Sequence, residues 1–376
     1  MSYQPQNILV TGGAGFIGAN FVHFWLQKYP GSRVVVLDAL TYAGNRASLQ
    51  AAEAQSNFRF VHGDIREYDL VSGLLREEGI DTIIHFAAES HVDRSIHGPD
   101  EFISTNVIGT HVLLKAAKAV WLDHGPCPHR FHHVSTDEVY GTLTADAPPF
   151  TENNRYAPNS PYAASKAASD HLVRAYHETY GLEVTTSNCS NNYGPYQFPE
   201  KLIPLIISNI LDGRPLPIYG DGLQIRDWLY VDDHNWGIDL VVRQGRPGET
   251  YNIGGNNEWT NIEIVRLICR LVDEEFAGSD SGSEAMAIRF PQAPQASGSR
   301  AESLITHVKD RLGHDRRYAI NAGRITAELG YAPEESFETG IRKTLAWYLE
   351  HEAWWRAVMD GSYRQWVELN YAKILF

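Results

Sequence analysis

Asn7-Ile-Leu-Val-Thr-Gly-Gly-Ala-Gly-Phe-Ile-Gly18 is an apolar strand running into a glycine-rich turn and out into the start of a helix. Gly12, Gly15 and Gly18 recur at every third residue. A side chain at either of the first two would hold the backbone off a pyrophosphate, and one at the third would hold the helix off the strand. Backbone N–H groups of the helix start, at Phe16, Ile17 and Gly18, then face the phosphates with the helix dipole behind them. Such a turn alone is common. Here an acid, Asp38, closes the next apolar run twenty residues past Gly18. A carboxylate at that place accepts bonds from the adenosine ribose and repels a 2′-phosphate, which favours NAD over NADP. Arg46 is the one nearby residue that would argue for NADP, and it is expected in solvent or on phosphate. Gly63-Asp64-Ile65 follows the third strand, placed to cap the adenine. His85-Phe-Ala-Ala-Glu-Ser90 follows the fourth, where the small Ala87 and Ala88 let the chain pass close to the cofactor.

Working outward, Asn7–Thr11, Arg33–Asp38, Phe58–His62, Thr82–Phe86, Arg130–Ser135 and Glu183–Ser187 read as strands. Phe16–Tyr29 and Asp69–Glu78 have helical spacing. Strands alternating with helices predict an α/β fold, a Rossmann-type doubly wound parallel sheet. Runs apolar on both faces, such as Val34-Val35-Val36-Leu37, suit a sheet covered on both sides. Beyond Pro195 prolines and glycines become frequent. Residues 1–195 are therefore expected to form the NAD-binding domain and 196–376 mainly a smaller mixed α/β substrate-binding lobe, with some later segments returning to the first. Residues 277–300, rich in Gly, Ser, Ala and Pro, are expected to be a mobile surface loop. Trp347, Tyr348, Trp354, Trp355, Tyr363 and Trp366 suggest a packed terminal helix pair.

The chain has 376 residues, 43% apolar and 21% charged, and a net charge of −14. That balance fits a soluble globular protein and speaks against nonspecific nucleic-acid or anionic-membrane partners. Cys127, Cys189 and Cys269 form no CxxC pair, so no metal site or disulfide framework is expected and a cytoplasmic location is. The N-terminal residues show no signal-peptide pattern, and no apolar run is long enough to cross a bilayer.

Tyr162-Ala-Ala-Ser-Lys166 puts a phenol and an ammonium one helical turn apart. The ammonium is expected to favour phenolate and make Tyr162 a base, while Lys166 also holds the nicotinamide ribose. YxxxK alone is common. Its place downstream of the glycine turn, and just after a strand end bearing Ser135-Thr136, gives it weight.

On these features the chain resembles the extended short-chain dehydrogenase/reductases. Over nearly its whole length it is similar to one family among them, the dTDP-glucose 4,6-dehydratases. The matching stretches are Asp38-Ala-Leu-Thr-Tyr-Ala-Gly44, Ala87-Ala-Glu-Ser-His-Val-Asp-Arg-Ser95, Ser135-Thr-Asp-Glu-Val-Tyr-Gly141, Asn191-Asn-Tyr-Gly-Pro195, Pro199-Glu-Lys-Leu-Ile-Pro204, Arg226-Asp-Trp-Leu-Tyr-Val231 and Gly313-His-Asp-Arg-Arg-Tyr318. Leu312 departs from that family's proline, and 277–300 is longer than usual.

The resemblance implies a homodimeric enzyme with tightly held NAD and a nucleotide-sugar substrate, dTDP-glucose. Thr136, Asp137 and Glu138 would join Tyr162 and Lys166 in catalysis. Asp137 would act as acid, Glu138 as carbon base, and Thr136 would bond the C4 oxygen. It adds Ala39, Leu40, Thr41, Glu89, Ser90, Thr105 and Asn192 to the cofactor site. It places Ser90, Thr136, Asn191, Lys201, Leu202, Pro217, Ile218, Tyr219, Arg226, Asn261, Asp310, Arg311, Leu312, Gly313 and His314 on the substrate. Dimerisation would use helices near Asp100–Ala119 and Pro161–Tyr180. Two other readings stay open: a nucleotide-sugar 4-epimerase or decarboxylase, and a non-catalytic NAD-binding regulator.

Overall fold

A computed structural model describes residues 3–123, 127–278, 280–310 and 315–359. Arg311, Leu312, Gly313 and His314, expected on the substrate, lie outside the described residues, as do Tyr363 and Trp366. The strands are β1 (Asn7–Thr11), β2 (Arg33–Asp38), β3 (Phe58–His62), β4 (Thr82–His85), β5 (Arg130–Thr136) and β6 (Val184–Cys189). They continue with β7 (Asn191–Tyr193), β8 (Leu216–Tyr219), β9 (Ile225–Tyr230), β10 (Thr250–Ile253), β11 (Glu258–Thr260) and β12 (Ile305–Val308).

Seven of them form one sheet in the order β10-β6-β5-β4-β1-β2-β3, every pair parallel. The order turns back on itself at β1 and β4, which opens a crevice above their carboxyl ends. Val34 to Leu37 of β2 are fully buried because helices cover both faces. On one face Phe21, Val22, Trp25 and Leu26 of the Phe16–Lys28 helix meet Ile238, Val241 and Val242 of the Val231–Gln244 helix. On the other, Leu74 and Leu75 pack with Leu113, Leu114 and Trp121 and with Val173 of the Pro161–Tyr180 helix.

The smaller lobe holds a three-stranded sheet (β11-β9-β7) and the parallel pair β12-β8. Its own core joins the helices Leu202–Leu211, Asn261–Phe276 and Phe337–Glu350. Trp355 donates its indole N–H to the carbonyl of Tyr348 at 2.9 Å, tying together the last two described helices.

Two expectations are corrected. Residues 277–300 are not irregular: they contain the helix Asp280–Arg289 and a 3₁₀ turn at Pro294–Ser297, with Phe290 and Ala293 buried in the smaller lobe. Met286 on the helix and Phe290 and Ala293 just beyond its end pack into the lobe's core, so a few apolar residues anchor a segment whose average composition is polar. The expected Asp100–Ala119 helix is broken into Pro99–Phe102, a π-helical stretch Ile103–Gly109, and Thr110–Trp121. The wider turn sends Asn106 inward. There its Oδ1 accepts the N–H of Glu89 at 2.8 Å, and its Nδ2 donates to the carbonyl of Glu89 and to Ser165 Oγ.

Candidate active site

The crevice is lined by the glycine turn, the ends of β2 to β6 and the segment Gln197 to Lys201. The three glycines differ in what they require. Gly12 has φ +69°, and a Cβ there would stand 2.6 Å from the backbone N of Ala87. At Gly18 it would stand 2.3 Å from the carbonyl O of Gly12. Gly12 and Gly18 are thus demanded by packing of the protein on itself. At Gly15 the nearest atom is 3.3 Å away, so the absent side chain leaves room on the crevice side. Gly15 caps the Phe16–Lys28 helix without a side-chain bond, and the first turn carries no acid. This combination suits a pyrophosphate.

Asp38 lines the crevice with both carboxylate oxygens engaged. Oδ2 accepts from Ala14 N and Oδ1 from Leu40 N, each at 2.8 Å. Ala39 and Thr41 also line it. Leu40 does not: in a left-handed conformation (φ +50°) it gives its N–H to Asp38 and packs its side chain against the core. Arg46 is solvent-exposed, as expected; it pairs with Glu53 at 2.6 Å and lies over the Phe60 ring. Asp38 stands at the end of β2 on the crevice wall, where a carboxylate fits NAD. Asp64, Ile65, Ala87, Ala88, Glu89, Ser90 and Thr105 complete the walls. Asn192 lines them too, but its Nδ2 donates to Ser190 O and its Oδ1 accepts from His234 Nδ1, so its amide is spent internally.

The reactive groups come from the end of β5 and the Pro161–Tyr180 helix. Thr136 caps the short turn Asp137–Tyr140 by accepting the N–H of Glu138 at 3.3 Å, and it hydrogen-bonds Tyr162. Asp137 is buried behind Glu138. Burial, then the charges of Glu138 and Asp227, push its carboxyl well above the usual range, so it is held as an acid. Asp227 is itself raised to about 6 by burial, although the N–H groups of Gly255 and Asn257 hold its carboxylate.

Tyr162 departs from expectation. Burial and then Glu138 push its phenol well above the ordinary value, and Thr136, not Lys166, is the group that opposes this. Lys166 donates to the carbonyl of Val134 at 2.8 Å. Spacing along one helix placed both residues on one face correctly but could not weigh burial against a single positive charge.

The substrate residues fall into two groups. Ser90, Thr136, Asn191 and Lys201 line the crevice, and Lys201 Nζ donates to Ser90 O at 3.3 Å. Pro217, Ile218, Tyr219, Asn261 and Asp310 gather instead around the Gly220–Gln224 turn of the smaller lobe. Gln224 Nε2 donates to Asp310 at 3.2 Å and its carbonyl accepts the N–H of Asn261. Ile218 is 1% exposed and Leu202 packs against the lobe's core, so neither side chain reaches the crevice wall. Arg226, on β9, is buried. It donates to the carbonyls of Ile225 and Asp315, stacks on Tyr318 and lies close enough to Asp137 to lower its pKa. Sequence reasoning gave no role to Glu200, whose buried carboxylate accepts from Arg94 at 3.3 Å, nor to Tyr318, close to Glu138. Both sit inside stretches that carried the family resemblance, which was the available signal.

A parallel sheet of this order, a glycine turn answered by an acid at the end of β2, and a Tyr/Lys pair beside β5 define an extended short-chain dehydrogenase/reductase. The chain belongs to the nucleotide-sugar dehydratase family whose model, described as GDP-mannose 4,6 dehydratase, matches residues 9–344. It is 55% identical over 359 residues to the dTDP-glucose 4,6-dehydratase of Xanthomonas campestris pv. campestris, covering 95% of this chain and 97% of that one. DesIV, a dTDP-glucose 4,6-dehydratase from Streptomyces venezuelae solved with NAD and TYD bound, superposes with a TM-score of 0.82. It is 48% identical and covers 94% of this chain and 100% of its own. The UDP-glucose 4-epimerase of Thermotoga maritima superposes at 0.77 with 26% identity, covering 92% of this chain and 99% of its own.

Proposed function

We propose that the chain dehydrates dTDP-glucose to the 4-keto-6-deoxy sugar nucleotide and water. The observation that carries this reading is the Asp137/Glu138 pair at the end of β5. One carboxyl is buried and kept protonated, and the other lines the crevice beside Tyr162. An epimerase needs a hydroxyl and a Tyr/Lys pair; elimination of water also needs a carbon base and an acid for the leaving group.

Tyr162, once its phenol is ionised, takes the proton of the sugar 4-hydroxyl while Thr136 bonds the oxygen. Bound NAD would supply the hydride chemistry, as acceptor for C4 and donor for C6. The ketone at C4 acidifies C5–H. Glu138 removes that proton, Asp137 protonates the C6 hydroxyl so that water leaves, Glu138 returns its proton to C5, and the proton gained by Tyr162 is passed to Asp137 through solvent. Asp38, Ala39, Thr41, Asp64, Ile65 and the glycine turn would hold the dinucleotide. Ser90, Asn191 and Lys201 would face the sugar, with Arg226 on the diphosphate side.

Incubation with dTDP-glucose tests the reading: the product should be lighter by one water and carry a ketone. A product of unchanged mass would make the chain an epimerase, loss of carbon dioxide a decarboxylase, and no turnover a binding protein. UDP- and GDP-sugars run alongside fix the nucleotide preference.

We also place the division of the chain near Pro195, with the Val231–Gln244 helix and β10 returning from the second part to the NAD-binding part. A homodimer is supported by exposed Ile103 and Ile108 on one helix and by Ala164, Ala168, Leu172 and Ala175 along the other. Light scattering at micromolar concentration should give twice the chain mass. Three unpaired thiols fit a reducing cytoplasm, and no helix among the described residues is long and apolar enough to cross a membrane.

A further inference from the structure

Tyr162, Lys166 and Asp170 stand one turn apart on the buried face of the Pro161–Tyr180 helix. Each meets the end of β5. Tyr162 bonds the Thr136 hydroxyl, and Lys166 donates to Val134 O at 2.8 Å. Asp170 accepts from Ser135 Oγ at 2.9 Å and from His133 Nε2 at 3.1 Å. The first two belong to the chemistry already described. The third has no part in it, yet a carboxylate in a closed interior is expensive unless something charged answers it.

The groups around Asp170 narrow what that is. From β5 come His133 and Ser135, with His85 of β4 behind, its ring 5.3 Å from His133. From outside the helix come the hydroxyl of Tyr156, which bonds the carboxylate, and Tyr140 nearby. On its own helix are Lys166 and the exposed His171. Burial, then Lys166, holds the His133 imidazole well below its ordinary value, so it donates as a neutral ring. Burial, then His133 and Lys166, does the same to His85. Lys166 is the lysine of the group. Burial draws its ammonium down, and Asp170 is the strongest group opposing that. The other, Cys189, is pushed up to about 12 by burial and remains a neutral thiol at working pH.

We propose that Asp170 is a positioning residue for the oxidation step, the buried counter-ion that keeps Lys166 an ammonium and, through Ser135, fixes the strand end carrying Thr136. This rests on the Tyr162/Lys166 chemistry of the proposed function. It adds a residue that touches neither sugar nor dinucleotide.

The test uses the NAD-loaded full chain and two variants. Asp170→Asn keeps shape and hydrogen bonding and removes the charge. Ser135→Ala removes one bond and keeps the charge. The first readout is the titration of the Lys166 Nζ by NMR, without substrate. Asp170→Asn should lower its midpoint by about one unit or more, and Ser135→Ala should leave it in place. The second readout is single-turnover NADH formation from dTDP-glucose in a Glu138→Gln background, where elimination and the acid role of Asp137 do not contribute. Its alkaline limb should move down with Asp170→Asn by the same amount. An unmoved Lys166 midpoint in Asp170→Asn overturns the proposal. So does an equal shift in Ser135→Ala, or an Asp170→Asn protein that neither folds nor holds NAD, since these assign Asp170 to packing. If no NADH forms even with Asp170 intact, the proposed function fails, while the Lys166 titration still decides the role of Asp170.

Discussion

The carboxylate of Asp38 accepts the backbone N–H of Ala14 at 2.8 Å, so the acid proposed to meet the ribose also ties down the glycine turn proposed to hold the phosphates. Its other oxygen takes Leu40 N, and Gly44 leaves room for it, since a Cβ there would stand 2.9 Å from Oδ1. Asp38→Asn must therefore point an NH₂ group at one of two N–H donors. We expect it to lose about 1–3 kcal/mol of stability for the unsatisfied donor, and to release NAD on gel filtration. It should not gain NADP, because the substitution adds no positive charge to meet a 2′-phosphate. Thermal melts and identification of the released dinucleotide check both halves. An Asn variant as stable as the parent, or one carrying NADP, would refute the double role.

The division of labour between Tyr162 and Glu138 gives a second expectation. Tyr162→Phe removes the base for the 4-hydroxyl, so no NADH should appear on mixing with dTDP-glucose. Glu138→Gln leaves that step intact and removes the carbon base. NADH should accumulate while dehydration slows by about 10²–10⁴-fold. Glu138→Gln also removes a charge that pushes the Tyr162 phenol up, so its NADH formation should extend to lower pH than in the parent. Formation of the 4-keto-6-deoxy product at near parental rate by Glu138→Gln would contradict the role given to that carboxylate.

How far the sequence carried this account depended on the kind of signal. Strand positions were legible because apolar runs ended at glycines and acids: β1, β2 and β3 lie where expected, and β4 to β6 differ by a residue or two at their ends. The crevice residues followed from strand ends, since a parallel sheet leaves one place for a dinucleotide. The π-helical stretch was not legible, because a shift to i→i+5 bonding leaves no mark in side-chain spacing; it answers the inward pull of Glu89 and Ser165 on Asn106. The direction of the Tyr162 shift was lost for a different reason. It depends on Glu138 and on burial, both supplied by elements distant along the chain.

His234 offers a pH test at the base of the same site. It is fully buried, donates Nδ1–H to Asn192 Oδ1 at 2.9 Å, and burial lowers its pKa to about 3. The unfolded imidazole binds a proton near 6.5 and the folded one does not. Its contribution to stability is therefore complete above 6.5 and is lost progressively as pH falls from there toward 3. His234→Asn can still donate to Asn192 but cannot titrate. It should be less stable than the parent by about 1–3 kcal/mol at pH 7.5, and the gap should shrink by about 1.4 kcal/mol per pH unit below 6.5. Urea titrations of both proteins at pH 7.5, 6.5 and 5.5 measure it. A gap independent of pH would mean that His234 binds protons equally in the folded and unfolded chains.

The segment 277–300 yields the last expectation, and it reverses the one drawn from composition. Phe290 is 1% exposed in the smaller lobe, whereas Ile288, two residues before it, is 73% exposed. Phe290→Ala should cost about 3–5 kcal/mol, whereas Ile288→Ala should change stability by less than about 0.5 kcal/mol. Asp273 joins the same anchor, since its Oδ1 accepts from Gln295 Nε2 at 2.6 Å and from Ala301 N at 3.0 Å. The chain then enters β12, which pairs residue by residue with β8 from Ile305 opposite Leu216 to Val308 opposite Tyr219. Loosening Phe290 should therefore raise KM for the nucleotide sugar more than it lowers kcat, and leave NAD retention unchanged, because the glycine turn and Asp38 lie in the other part of the molecule. Limited proteolysis should cut this stretch no faster than other surface turns in the parent and faster in Phe290→Ala. Rapid cleavage of the parent within 283–298, or a Phe290→Ala protein as stable as the parent, would show that these residues add nothing to the lobe.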